Sequence, residues 1–446
     1  MIHKKIDTNI VFLFFISIFP ISYILGTALA DINLVIIVLL FLFSAIIKKD
    51  TNQIFKNQFI ILFLIFWFYL LIVSLFAINK SDSFGRSLPY LRYILFICSI
   101  IYFFNKLTDK QKKFLFIFIF FIITFFTIDL HIQHFFGSDI FGIKKPGNDV
   151  RVNGLFGFCI ECKDGKENNR YIAGSFLITF APLYLIYFRL LVTKFVNSII
   201  SYNIFIYSIF LIFFVSILIT GDRISYIKFP LFFLLYFVFI HLILEKNMKF
   251  FIIFFLILIL TLLASIQMLN SDVCTKLNNT LSLDGFFCIP IQRFNDLKDT
   301  IILFENSSYY KIFSTGFLVW LNNPVFGVGL KNFRHACMDF DLMGCTTHPH
   351  NFYLEILSET GIFGLIIFLI IIVAFIILFF KEQKNEKDYE KKFVNFMFLM
   401  SLIILFWPIG TTGSFYGNSQ GPLIYYFIGL SLANLSKNNL NIIKFR

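Results

Sequence analysis

Apolar residues in this chain come in long, nearly uninterrupted stretches separated by short polar connections. Crossing a hydrocarbon core of roughly 30 Å takes about 20 such residues in a helix. Stretches of about that length stand near 9–27, 31–47, 58–77, 87–105, 114–133, 171–191, 203–220, 225–244, 250–268, 361–380, 393–409 and 421–435, the second and last being short. The pattern predicts an all-α integral membrane protein with about twelve transmembrane helices, organised as a single polytopic domain over 1–446. Two connections are long, 134–170 and 269–360, and the second has room for helices of its own.

Composition supports a bilayer as the solvent. Of 446 residues, 58% are hydrophobic and 20% aromatic, only 14% are charged, and the mean hydropathy is +0.83. No soluble fold hides that much apolar surface. The net charge of +12 does not point to nucleic acid, because Lys and Arg fall in small clusters between apolar stretches rather than on one polar face. Those clusters occupy every second connection: Lys4 and Lys5; Lys48, Lys49 and Lys56; Lys106, Lys110, Lys112 and Lys113; Arg189 and Lys194; Lys246 and Lys249; Lys381 to Lys392; and Lys437, Lys444 and Arg446. Basic connections stay in the cytoplasm, so both termini are expected inside and both long connections outside. The first span lacks a small-residue cleavage site and reads as an uncleaved anchor.

Six of seven cysteines fall in the two long connections: Cys159 with Cys162, Cys274 with Cys288, and Cys337 with Cys345; Cys98 lies alone in a span. Structural disulfides suit an oxidising compartment. The alternative, a metal half-site or redox pair at Cys159 and Cys162, lacks a second ligand pair at zinc-like spacing.

The densest reactive polar pattern is Thr347-His348-Pro349-His350-Asn351-Phe352-Tyr353-Leu354-Glu355, continuing through Ser358-Glu359-Thr360-Gly361 to Gly364. Pro349 suits the first turn of a helix. From that start Asn351, Glu355 and Glu359 share one helix face, a polar stripe headed by two imidazoles. Histidine serves as a general base near neutral pH, and a carboxylate one turn away fixes its tautomer. A solvated helix end is the plainer alternative. Basic residues near span ends form a second group: Arg223 in Thr220-Gly221-Asp222-Arg223, Lys228 a turn further on, and Arg92 in the fourth span. Ionisable groups at such depth are costly and face a cavity or a partner. Together they would suit a lipid-linked phosphate, Arg binding it bidentately and Lys as a point charge, although an Arg at a membrane boundary also serves as a snorkelling anchor. Arg151, Lys311, Lys331 and Arg334 read mostly as solvated charges, and the Asp339-Phe340-Asp341 pair as incidental.

Four stretches, in order, resemble the O-antigen ligase and polymerase superfamily of membrane glycosyltransferases. They are Asp129, Gln133, Gly137, Asp139 and Gly142 to Arg151, Gly154 and Phe156, followed by Ala173-Gly174; Thr220-Gly221-Asp222-Arg223; Asn323-Pro324-Val325-Phe326-Gly327-Val328-Gly329; and His348 to Gly364. The likeness covers about 120–380. It implies a transfer without metal or cofactor, inverting at the sugar, from an undecaprenyl-diphosphate-linked glycan to an acceptor glycolipid, on the periplasmic face of a bacterial inner membrane. In that likeness His350 is the general base and Arg223 holds the diphosphate. Arg92, Arg151, Lys228, His348, Asn351 and Glu355 are expected to contact substrate, as is Lys311, which stands where the family often carries Arg. A polymerase using the same donor is the near alternative and a transporter the distant one. Transporters usually set ionisable residues at the midplane of repeated halves, and neither feature is visible here.

Overall fold

The computed structural model describes residues 7–48, 52–144, 152–157, 172–196, 199–240, 307–340 and 344–435. Apart from a lone bridge between Ser138 and Lys144, every regular element among them is helical. In chain order these are α1 (Thr8–Leu25), α2 (Thr27–Lys48), α3 (Asn52–Phe55), α4 (Gln58–Leu75), α5 (Lys80–Ser87), α6 (Leu91–Phe104), α7 (Asp109–Phe136), α8 (Ala173–Phe195), α9 (Ile199–Thr220), α10 (Arg223–Val238), α11 (Ser308–Asn322), α12 (Phe333–Ala336), α13 (Phe352–Asn385), α14 (Tyr389–Leu405) and α15 (Gly421–Leu435). Short polar side chains set many of the starts. The carboxylate or amide oxygens of Asp7, Asn57, Asn79, Asn351 and Asp388, and the Ser307 hydroxyl, each accept a backbone N–H of the first turn they precede, which satisfies donors the helix itself leaves unpaired.

Eight helical segments among the described residues are long and apolar enough to cross a bilayer, so the protein is an all-α membrane protein. The second expected span is longer than its sequence run, at 22 residues. The fourth is continuous in course over Lys80–Phe104 but breaks into α5 and α6 around Pro89. Of the remaining expected spans, 250–268 lies outside the described residues, 225–244 is described only as far as Ile240, and α14 and α15 have 17 and 15 residues. Every residue of α15 is buried.

The chain divides into two compact units. One comprises α1–α6, the first half of α7, a short stretch of α8, and α11–α15; the other holds the rest of α7 and α8 with α9 and α10. In the first unit α15 packs along α6 and against α14, while α2 packs on α1 and α6. Its centre is aromatic: Tyr93 stacks on Tyr425 at 5.1 Å and Phe19 on Tyr426 at 4.3 Å, and the Tyr425 hydroxyl donates to that of Tyr90 at 2.9 Å. Buried phenols keep such a partner because an unpaired hydroxyl in apolar surroundings is costly. The segment before α13 joins this unit too. α11 packs on α13, and Val319, Val328, Phe333, Ala336 and Cys337 form a small core under α12. In the second unit α9 packs on α10 through the Phe210, Phe229, Phe232 and Tyr236 rings.

Candidate active site

The helix of the His motif starts later than the sequence suggests. Pro349 does not begin it; Asn351 is the cap, its side-chain oxygen accepting the N–H groups of Tyr353 and Leu354 at 3.0 and 3.2 Å. The reason lies one residue earlier. His350 has φ +54°, a left-handed conformation that no helix continues through and that few residues besides glycine adopt readily. Several contacts hold it there. The Thr412 N–H donates to the His350 carbonyl at 2.7 Å. Pro349 sits over Gly316 of α11, where an added methyl would come within 3.2 Å of the proline ring. The Tyr309 ring meets His350 edge-on at 6.3 Å. A disulfide between Cys337 and Cys345 ties down the approach to the turn, and the Thr346 hydroxyl donates to the His348 carbonyl at 2.7 Å.

The two imidazoles lie with their centres 4.1 Å apart. His348 Nδ1 is 3.0 Å from the Thr347 hydroxyl, while its Nε2 is buried without a hydrogen-bond partner. Burial pushes both rings below the usual histidine range, His348 to about 4, helped by the neighbouring His350 and opposed by a backbone hydrogen bond at Thr412. Arg334 adds a smaller push on His348. Both rings are therefore neutral at pH 7 and keep a lone pair for a proton, the state a general base requires.

Asn351, Glu355 and Glu359 do share a face, and all three are buried. The described contacts of their polar atoms go to protein loops. Asn351 donates to the Pro408 and Gly410 carbonyls at 2.9 and 3.2 Å. The Glu355 carboxylate accepts the Ser414 hydroxyl and the Phe415 N–H. Glu359 accepts the Lys331 N–H at 2.9 Å and the Phe333 N–H at 3.4 Å. The stripe thus pins loops 408–415 and 329–333 against the helix that carries the histidines.

The second of those loops is the Asn323–Gly329 stretch and its continuation. At Gly361 the backbone of α13 turns out of helix, with φ +68° and ψ −172°. The groups this break releases are met by the loop: Val328 N–H to the Ser358 carbonyl at 3.0 Å, Gly329 N–H to the Glu359 carbonyl at 2.9 Å, and Ile362 N–H to the Pro324 carbonyl at 2.9 Å. Approach this close needs glycine on both sides. A methyl on Gly361 would fall 2.1 Å from the Val325 carbonyl oxygen, and one on Gly327 2.4 Å from the Glu359 carbonyl carbon. Two motifs separated in sequence are one clasp in space.

Two groups of cations stand out among the described residues of this unit. Lys331, itself at φ +61°, is pushed below the usual lysine range by burial and then by Arg86 and Arg334; beside it His335 Nε2 lies 3.0 Å from the Asp82 carboxylate. Arg92 bonds to Asp31 at 3.0 Å and, together with Arg86, donates to Asn418. Sequence reasoning passed over Arg86. Its signal was position, a turn upstream of the Pro89 break and six residues before Arg92. Lys311 is exposed on α11, two residues beyond Tyr309.

In the second unit Arg223 is the first residue of α10, exposed, after Asp222 and Gly221. The Asp222 carboxylate accepts the Ser175 and Ser225 hydroxyls at 2.5 and 2.8 Å, and it is the charge that acts on the buried Lys228. Gly174 makes this junction possible, since a methyl there would meet the Thr220 hydroxyl at 2.7 Å. Asp129 accepts the Ile140 and Leu155 N–H groups, Gln133 those of Asn153 and Gly154, and Asp139 those of Phe141 and Ile143. The polar residues of the first motif therefore shape the chain on both sides of 145–151, which includes Arg151 and lies outside the described residues. His348, His350, Asn351, Glu355, Arg92 and Lys311 thus fall in one unit, and Arg223 and Lys228 in the other.

Fold and site together define a multi-pass helical membrane protein that displays a neutral His pair on a loop clasped to a broken helix. Residues 208–369, from within α9 to beyond the Gly361 break, match the family model described as O-Antigen ligase. The resemblance to the O-antigen ligase and polymerase superfamily is borne out over that segment, and the function it indicates is of the ligase or polymerase type. No curated protein matches the chain.

Proposed function

We propose that this protein is an O-antigen ligase-like glycosyltransferase that moves a glycan from undecaprenyl diphosphate to a hydroxyl of an acceptor glycolipid at the periplasmic face of the inner membrane. The observation that carries the reading is the neutral, half-buried imidazole of His350, fixed in a left-handed turn inside the segment that matches the O-Antigen ligase family. His350 takes the proton of the acceptor hydroxyl as its oxygen attacks the anomeric carbon. The bond from that carbon to the diphosphate breaks with inversion, and its electron pair stays on the diphosphate oxygen. Arg223 and the buried Lys228 neutralise the departing charge, with Arg151 and Lys311 as further candidates for substrate phosphates or sugars. Cations placed where charge develops lower such a barrier without reorganising in the reaction, and no metal need take part.

Two features support an outward-facing site. The Cys337–Cys345 bond suits an oxidising compartment, and Lys and Arg occupy the alternate connections that the positive-inside rule assigns to the cytoplasm. Polymerisation from the same donor onto a second lipid-linked glycan is the companion reading, because the chemistry at His350 is identical for either acceptor. Deletion of the gene separates them: surface glycan is lost entirely from a ligase mutant, whereas a polymerase mutant keeps one repeat unit. For the site, transfer of lipid-linked glycan by membranes carrying each variant is the measurement. His350→Ala is expected to lower the rate by about 10²–10⁴-fold, the usual worth of a general base, with normal insertion. Arg223→Ala is expected to abolish transfer and Arg223→Lys to restore part of it, as the bidentate geometry is lost and the charge kept. Near-normal transfer in either alanine variant removes that residue from the mechanism.

A further inference from the structure

Away from the His turn, Arg86 and Arg92 form a pair of like charges. Arg86 is in the last turn of α5 and Arg92 in the first turn of α6. Both guanidinium groups donate to a single neutral oxygen, Oδ1 of Asn418, with Arg92 Nη2 at 3.1 Å. Arg92 also reaches the Asp31 carboxylate at 3.0 Å, the Pro89 carbonyl at 3.1 Å and the Tyr93 hydroxyl at 3.0 Å. Two like charges crowd one amide oxygen, and Asp31 is the one carboxylate within ion-pair distance of them among the described residues. The buried carboxylates nearby, Glu355 and Glu359, are engaged with loop donors as described above.

Asp31 and Asn418 stand at the head of a cavity of about 400 Å³ along α2, walled further down by Ile32, Val35 and Ile36. Ile32 and Val35 are 53% and 37% exposed, and the same ridge runs on through Leu39 at 58% and Phe43 at 59%. Arg86 and Arg92 do not line the cavity but stand directly behind its polar head, bonded to Asn418 and, from Arg92, to Asp31, so a pair of cations lies beyond an apolar wall, an arrangement that suits an amphiphile with an anionic end. We propose that this cavity seats an anionic phospholipid, whose phosphate oxygens take the place of Asn418 between Arg86 and Arg92 and whose acyl chain lies along Ile32, Val35 and Leu39. Phosphate offers guanidinium groups several charged acceptors in bidentate geometry, where Asn418 offers one neutral oxygen. A zwitterionic head group would bring its own cation to the two already present. The inference does not depend on the reaction at His350.

Native mass spectrometry of the purified full-length protein in detergent tests it, with phosphatidylglycerol or phosphatidylcholine of identical chains added at equal concentration. One phosphatidylglycerol is expected to stay bound at least about tenfold more tightly than phosphatidylcholine, and Arg92→Gln and Arg86→Gln each to remove about that factor. Asn418→Ala removes the competing acceptor and keeps both cations, so it should hold or raise phosphatidylglycerol binding even if an Arg variant folds poorly. Equal binding of the two lipids overturns the proposal. So does Asn418→Ala binding as weakly as Arg92→Gln, which would make the pair only a clamp on the loop. Displacement of phosphatidylglycerol by millimolar inorganic phosphate would show an anion site without a lipid and overturn it as well.

Discussion

Replacing Gly361 with alanine tests whether the clasp holds the His-bearing turn in place. Two costs add. The backbone at Gly361, φ +68° and ψ −172°, lies in a region open essentially to glycine alone, and forcing another residue there costs about 1–3 kcal/mol. The new methyl would also stand 2.1 Å from the Val325 carbonyl oxygen and 2.7 Å from the Phe326 nitrogen, so the loop must withdraw. That puts at risk the bonds from Val328, Gly329 and Ile362, each contributing about 1 kcal/mol net. The expected loss is about 3–6 kcal/mol, at the upper end for a single substitution. The assay is thermal unfolding of the detergent-purified protein followed by size-exclusion chromatography, with Gly85→Ala as control. At Gly85 a methyl meets nothing within 4 Å, and Gly to Ala inside a helix gains about 1 kcal/mol. Gly361→Ala should give a low yield of monodisperse protein and a sharply lower midpoint, while Gly85→Ala matches or exceeds the parent. A Gly361→Ala protein with the parent midpoint would refute the reasoning, because α13 could then not be broken at that residue.

Three further outcomes follow from the site. Since burial holds His350 below the usual histidine range, the acid limb of a kcat/KM profile should lie under about pH 6.5. The imidazoles' own contribution to stability is present above about pH 6.5 and is lost as the pH falls below it, because the unfolded chain binds protons there that the fold resists; an acid limb above 7 that vanishes in His350→Ala contradicts this. Glu355→Gln leaves one of the Ser414 hydroxyl and Phe415 N–H donors without its acceptor, a cost of about 1–3 kcal/mol, and should speed hydrogen exchange around residue 415 by about 10–100-fold; unchanged exchange would show that the carboxylate does not hold that loop. Cys337 and Cys345 should resist alkylation until reduced, and Cys337→Ser should lower stability by about 2.5 kcal/mol, the chain-entropy value for a separation of eight residues; free alkylation without reductant rules the bond out.

Much of the architecture was legible because a bilayer imposes one requirement, an apolar run of sufficient length, which sequence displays directly. Where the expected boundaries moved, a local effect had intervened. Pro89 divides the fourth span, and the left-handed backbone of His350 delays α13 past Pro349, a conformation that no property of the His side chain announces. The shared face of Asn351, Glu355 and Glu359 was readable from spacing, whereas its partners were not, since Ser414, Phe415, Lys331 and Phe333 offer backbone groups or a plain hydroxyl that carry no pattern. The glycines of Asn323–Gly329 and of Gly361 were each visible as motif positions. Their pairing across more than thirty residues of chain is a matter of backbone approach, which appears only in three dimensions. Arg86 escaped notice because a lone Arg near a span end is ordinary until a second Arg is found sharing its acceptor.

The joint at Gly361 also bears on how the protein lives in membranes of different thickness. Below it, residues 362–380 are all apolar and rise about 28 Å at 1.5 Å per residue, close to a full hydrocarbon core. Above it, nine residues are held by hydrogen bonds to their own loops, and Ile362, the first residue below, is bound to the Pro324 carbonyl of the same clasp. When a thicker or thinner bilayer changes the lean of that rod, at a cost of fractions of a kcal/mol per Å, the loop laid across the break is expected to tilt with it, so that bilayer thickness bears on the aim of the imidazoles.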